Sequence, residues 1–170
     1  MGLTRKRLSE TMAEWIDVVH GIKWDPHWRD LGGPVHLVNS DGESILANCL
    51  AELGVEVFTI EGHDVRDKDS LFEQISVVFG FPDYFGKNWD AFDECFHDFC
   101  RARTAPLAIL WRNTDAMLDS VLSLLLQSVM VFALDARGAV GKDGSPLLVE
   151  IFWLGPPSRG FVAMPVAVQK

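Results

Sequence analysis

Cysteine and basic side chains are scarce in this chain of 170 residues. Its three cysteines are odd in number and form no C-x-x-C pair, so the sequence encodes neither a disulfide framework nor a zinc knuckle. Lys and Arg number 15 against 24 Asp and Glu, giving a net charge of -9. Because nucleic-acid affinity comes from neutralising phosphates with basic groups, we expect no direct nucleic-acid binding. These features predict a cytoplasmic protein with reduced thiols and a basic partner.

A long uninterrupted apolar run is also missing. The most apolar stretch, residues 117–134, contains Asp119 and four further polar residues, which are costly in lipid. No apolar segment follows the basic residues near the N-terminus, so no export signal is visible. We therefore expect a buried helix at 117–134 and no association with a membrane.

Recognisable catalytic and metal-binding motifs are absent from the sequence. It contains no G-x-S-x-G, no P-loop and no G-x-G-x-x-G. The histidines at 36, 63 and 97 have no spacing typical of metal ligands. We predict that the protein is not an enzyme and binds neither a metal nor a cofactor.

The order of the predicted elements favours an α/β fold. Apolar residues make up 48% and charged residues 23%, as in ordinary globular domains. Short apolar runs at 35–38, 55–60, 106–111 and 147–154 predict strands, and helical patterns separate them, which favours a small, mainly parallel sheet flanked by helices. We divide the chain into an N-terminal extension (1–34), an α/β domain (35–155) and a C-terminal tail (156–170).

Helix starts and ends can also be read from the sequence. In the extension, Met12, Trp15, Ile16 and Val19 recur at helical spacing and predict an amphipathic helix over 9–19, before an aromatic-rich irregular segment. Capping boxes are predicted at Ser40 with Glu43 and at Ser70 with Glu73, and glycines at 54 and 80 are predicted to end the helices that follow.

The whole net charge falls in one segment. Residues 52–100 hold 12 acidic and 3 basic side chains, whereas the other 121 residues hold 12 of each. A charge excess confined in this way predicts a local negative field able to steer a cationic partner, although a merely solvated acidic surface is the alternative.

A helix predicted from residue 89 to about residue 100 concentrates this charge. Asn88 is a suitable N-cap, and a turn of about 100° per residue places the aromatic and cysteine side chains on one side. The opposite side, which we call the acidic face, consists of Asp90, Asp93, Glu94, His97 and Asp98. Asp90 and Glu94 form an i, i+4 pair of like charge, and such repulsion in an exposed helix indicates a surface kept for binding.

The run F-P-D-Y-F-G-K-N-W-D-A-F-D-E-C-F at 81–96 closely resembles the ribonuclease-contacting stretch of the barstar family. The similarity extends over roughly residues 55–154. It implies a barstar-like α/β fold and an immunity-type inhibitor that plugs the cationic active site of a bacterial ribonuclease, of the barnase type or a related toxin. By position, the inhibitory surface would comprise Tyr84, Gly86, Asn88, Trp89, Asp90 and Glu94, with Asp93 and His97 on its border.

The chain departs from the family pattern at three places. Glu94 stands where the family's central contact is usually an aspartate, and Asp93 stands where an aromatic residue usually precedes it. An acid that the family contributes from a later helix has no clear counterpart, and Asp135 is only a weak candidate. The identity of the target therefore stays open.

The same residues also allow a purely structural interpretation, and the protein also allows a different function. Tyr84 and Trp89 are also the residue types that pack a loop onto a helix, and Cys95 is interpreted as a packing residue. The main alternative function is a non-inhibitory binding or scaffold module of the same fold, docking through the tryptophan-containing extension to a different basic partner.

Overall fold

The computed structural model describes residues 35–156, which contain four strands and five α-helices. The strands are β1 (Val35–Asn39), β2 (Glu56–Glu61), β3 (Leu107–Arg112) and β4 (Val149–Gly155). The helices are α1 (Glu43–Glu52), α2 (Lys68–Phe79), α3 (Trp89–Arg101), α4 (Thr114–Ser120) and α5 (Leu122–Gly138). Short 3-10 turns at Ser40–Gly42 and Gly62–Asp64 precede α1 and follow β2. The extension at 1–34, with its predicted helix, and the tail beyond residue 156 lie outside the described residues.

The four strands form one parallel sheet in the order β1-β4-β3-β2. The central strands, β3 and β4, are apolar runs that are buried almost throughout, as is usual for parallel strands covered on both faces. The predicted fold class, α/β with a small parallel sheet flanked by helices, is therefore confirmed.

Two apolar clusters cover opposite faces of the sheet. Successive strand residues alternate between them, so that Ile109 belongs to the larger cluster and Leu110 to the smaller. The smaller cluster packs Leu46 and Leu50 of α1 against the sheet, whereas the larger contains residues of α2, α3, α4 and α5, including Phe96. The acidic helix α3 thus lies in the thicker helical layer, on the opposite side of the sheet from α1.

The predicted capping box at Ser40 and Glu43 is wrong. Asn39 instead caps a 3-10 turn, its Oδ1 accepting a hydrogen bond from the Asp41 N–H at 3.0 Å. Helix α1 then begins at Glu43 without a side-chain cap, because Gly42 occupies its N-cap position. The extra turn separates the end of β1 from the start of α1.

The predicted capping box of α2 is displaced as well. Its N-cap is Asp67, whose Oδ1 accepts from the Ser70 N–H at 2.8 Å, and the Ser70 hydroxyl accepts from the Asp67 N–H at 3.1 Å. Ser70 therefore occupies the third helical position and Glu73 lies outside the box. An aspartate reaches the third amide of a helix as readily as a serine, so both registers fit the sequence.

The apolar stretch 117–134 does not form one buried helix. Helix α4 ends at Ser120 and α5 begins at Leu122, because Val121, at φ -138° and ψ 45°, is not helical. Helix α5 covers the sheet with one side only, and Met130 on its outer side is 65% exposed. Among residues 35–156, no helix is long and apolar enough to span a bilayer.

Candidate protein-binding surface

Buried phenylalanines anchor the loop that joins α2 to α3. Gly80 ends α2 in the left-handed conformation, with φ at 62°. Phe81 and Phe85 are both buried with ring centroids 5.0 Å apart, and Phe85 also contacts Phe72 at 5.7 Å. Between these two anchors the side chain of Tyr84 points outward and is 81% exposed. The loop therefore holds a large aromatic side chain at the surface on a short, fixed segment.

Asn88 connects this loop to the start of α3, as the sequence predicts. Its Oδ1 accepts a hydrogen bond from the Ala91 N–H at 2.9 Å, and its Nδ2 donates to the Gly86 carbonyl at 3.1 Å. A Cβ atom at Gly86 would lie 3.0 Å from that Nδ2, which is closer than side chains normally approach. One side chain thus caps the helix and fixes the backbone beside it.

The carboxylates of the acidic face lie on the outer side of α3, as predicted. Asp90, Asp93 and Glu94 are exposed, whereas His97 is half-buried. Between residues 35 and 156, no Lys or Arg forms an ion pair with Asp90 or Glu94. The nearby Lys87 is instead held by Glu73, at 3.0 Å. These two carboxylates are therefore available to a cation from outside the described domain.

Trp89 differs from Tyr84 in its surroundings. Its ring packs 4.8 Å from Phe72 and 5.9 Å from Phe92, both of which are fully buried. Its indole N–H is buried and has no hydrogen-bond partner among the described residues. Trp89 thus braces the first turn of α3 against α2, whereas Tyr84 offers most of its surface to solvent.

A carboxyl pair lies on the inner border of the acidic face. His97 Nδ1 is 3.1 Å from Asp93 Oδ1, and the Asp93 carboxyl also interacts with the carboxyl of Asp135 on α5. Asp135 is only 8% exposed, and its Oδ2 has no partner in the described part of the chain. Burial, followed by the charge and hydrogen bond of Asp93, raises the pKa of Asp135 to about 7, while His97 lowers it. Below about pH 7 the Asp135 carboxyl therefore keeps its proton, and it can donate this proton to the Asp93 carboxylate in a hydrogen bond.

This pair was missed by sequence reasoning, which considered Asp135 only as a weak candidate for a partner contact. Asp135 is instead buried behind Asp93, on the same side of α5 as the buried Ser128 and Phe132. The available signal was an acidic residue on the core-facing side of an otherwise apolar helix. That signal does not reveal which element packs against it.

Cys95, between the core and the acidic face, is half-buried and packs against the larger apolar cluster. Burial, then the charges of Asp98 and Glu94, raise the pKa of its thiol. This environment keeps the thiol protonated and favours the packing interpretation. Residues 35–156 include no cluster of three or more His, Cys, Asp and Glu side chains that is able to hold a metal ion.

The eight predicted site residues occupy one continuous stretch of structure. Tyr84, Gly86 and Asn88 lie on the loop, and the remaining five lie on α3. Together with the three-layer arrangement, they define a class of small α/β proteins with a parallel sheet and an exposed acidic helix. A family model described as Barstar (barnase inhibitor) matches residues 55–151. The chain belongs to the barstar family.

Comparison with solved structures adds a likeness of fold alone. The Aeropyrum pernix ORC2 protein, in its ADPNP–ADP complexes, is 14% identical with a TM-score of 0.55, and the match covers 93% of this chain. The Pyrobaculum aerophilum CDC6P structure is 15% identical with a TM-score of 0.43, and that match covers 96%. This chain spans only 43% and 47% of those two chains. Comparison with curated protein sequences gave no match.

Proposed function

We propose that this protein inhibits a ribonuclease of the barnase type, or a related toxin, by placing the acidic face of α3 and the loop before it in the enzyme's cationic active site. The observation that carries this proposal is the pair Asp90 and Glu94, which are exposed on a capped helix without a Lys or Arg partner among residues 35–156. Membership of a family described as barnase inhibitors supports it.

The physical basis is electrostatic mimicry of the substrate. A ribonuclease active site binds phosphate and therefore presents cationic groups, to which exposed carboxylates can make charge-assisted hydrogen bonds. The Asn88 cap and the buried phenylalanines of the loop fix the backbone before binding, so little conformational entropy is lost there on association. Tyr84, exposed on the loop that leads into α3, supplies the aromatic contact area typical of binding hot spots.

Binding alone would produce inhibition, and the inhibitor contributes no chemistry. Asp90 and Glu94 lie exposed on the outer side of one helix, where they can contact the cationic groups of a partner. We propose an immunity or antitoxin role in the bacterial cytoplasm, where the producing cell needs protection from its own enzyme.

A titration of this protein into a barnase-type ribonuclease assay tests the proposal. We expect one-to-one inhibition by the wild type and strong weakening by Glu94→Lys, because the substitution places a cation against a cationic site. The matched control is Glu52→Lys, the same charge change on α1 at the other side of the sheet, which should inhibit like the wild type. Circular dichroism verifies that both variants fold. Equal inhibition by the wild type and Glu94→Lys would contradict the proposed surface, and no inhibition by the wild type would exclude that enzyme as its target.

A further inference from the structure

A ridge of apolar side chains lies exposed on the outer side of α5. Leu122, Leu126, Met130 and Leu134 are 48%, 56%, 65% and 62% exposed, and they follow one another at intervals of four residues. Side chains at this interval form a continuous ridge, which is the feature that a second helix packs against in the commonest mode of helix packing. We call these four residues the apolar ridge.

The exposed apolar surface also includes the edge strand β1. Val35 packs against the same large cluster as α5, whereas Val38 packs on the α1 side of the sheet. Because strand residues alternate between faces, Leu37 lies on the α5 side, where it is 52% exposed. Helix α5 packs on β4, and β1 is the outer neighbour of β4. On this face of the sheet the helical layer thus partly buries Val35 but leaves Leu37 exposed.

The chain itself contains a segment suited to this surface. Residues 1–34 run directly into β1, and within them Met12, Trp15, Ile16 and Val19 form the apolar side of the amphipathic helix predicted over 9–19. Met12 with Ile16, and Trp15 with Val19, repeat the four-residue interval of the apolar ridge. The residues between position 19 and β1 can span roughly 50 Å when extended, enough to reach any part of α5 from β1.

We propose that residues 9–19 dock as a helix on the apolar ridge of α5 and the exposed face of β1, completing the helical layer of the domain. A segment tethered to β1 has an effective concentration near the ridge in the millimolar range, far above that of a second copy of the chain at working concentrations. This favours the protein's own segment over a dimer contact. In this arrangement the tryptophan-containing extension packs against its own domain instead of binding a partner.

Photo-cross-linking of the full chain tests the proposal. Benzoylphenylalanine replaces Met130, whose exposure makes the substitution harmless to the core, and cross-linked peptides are identified by mass spectrometry after ultraviolet illumination. We expect cross-links within one chain to residues 9–19. The same probe at Val77, 83% exposed on α2, should give no such product.

A second variant shows whether the contact depends on the apolar side of the segment. Ile16→Asp should reduce the cross-linked product by about tenfold or more. The variant has no isoleucine side chain to bury on the apolar ridge, and burying one contributes binding free energy equivalent to at least about a tenfold change in affinity. Asp17→Asn, on the polar side, should leave the yield unchanged. Cross-links between two chains, absence of a product with residues 9–19, or equal yields from the two variants would each overturn the proposal.

Discussion

Replacing Asp135 with asparagine should make the stability of this protein less dependent on pH. The pKa of Asp135 is raised from its usual 3.8 to about 7, first by burial and then by Asp93. Between these two values the folded state binds one proton more than the unfolded state, so this group makes folding less favourable as the pH rises. A rise in the pKa from 3.8 to about 7 corresponds to a loss of about 4 kcal/mol in the free energy of unfolding. The full loss is reached above pH 7, and there is none below the usual pKa of an aspartate.

The variant Asp135→Asn keeps the shape of the side chain and can donate to the Asp93 carboxylate at every pH. We therefore expect it to match the wild type near pH 4 and to be more stable by up to about 4 kcal/mol near pH 8. Urea unfolding followed by circular dichroism measures the difference at each pH. Asp98→Asn, an exposed change on α3, is the control and should stay within about 0.5 kcal/mol of the wild type. A constant difference between Asp135→Asn and the wild type across this range would refute the buried, proton-sharing arrangement.

Three further outcomes follow from the same structure. The rate constant for association with the ribonuclease should fall at least about tenfold as the ionic strength rises from about 0.01 M to about 1 M. Stopped-flow fluorescence measures this rate, and a rate that does not change with salt would refute electrostatic steering. Gly62→Ala should destabilise the fold in thermal unfolding, because its Cβ would lie 2.5 Å from the Asn113 carbonyl oxygen, and an unchanged melting temperature would contradict that close approach. Cys95 should react with iodoacetamide more slowly than a free cysteine at neutral pH, since its raised thiol pKa leaves little thiolate, and an equal rate would show that the thiol is not perturbed.

Much of the fold could be predicted because local signals and tertiary packing agree. Some features depend only on the residues of a single helix or strand, and the sequence pattern of that element predicts them. They are the cap at Asn88, the apolar side of α3 and the buried strands β3 and β4. The acidic face could be placed for the same reason, since helical spacing alone puts its carboxylates together. The capping boxes failed where several polar residues compete for one turn, as Asp67 and Ser70 do at the start of α2.

Contacts between elements distant in sequence could not be predicted in this way. The interaction between Asp93 and Asp135 joins α3 to α5, and neither helix alone indicates that the two acids meet. The half-burial of Trp89 likewise depends on Phe72 of α2. The break at Val121 and the exposed side of α5 reflect how that helix lies on the sheet, which its composition does not reveal.

Competition for the enzyme's active site tests the central claim most directly. Binding of this protein to a barnase-type ribonuclease would be measured by calorimetry with and without a non-hydrolysable oligonucleotide analogue occupying that site. If the acidic face enters the active site, the apparent affinity falls in proportion to the occupancy of the analogue. An affinity that is the same with the analogue bound would contradict the account, because the protein would then bind elsewhere on the enzyme.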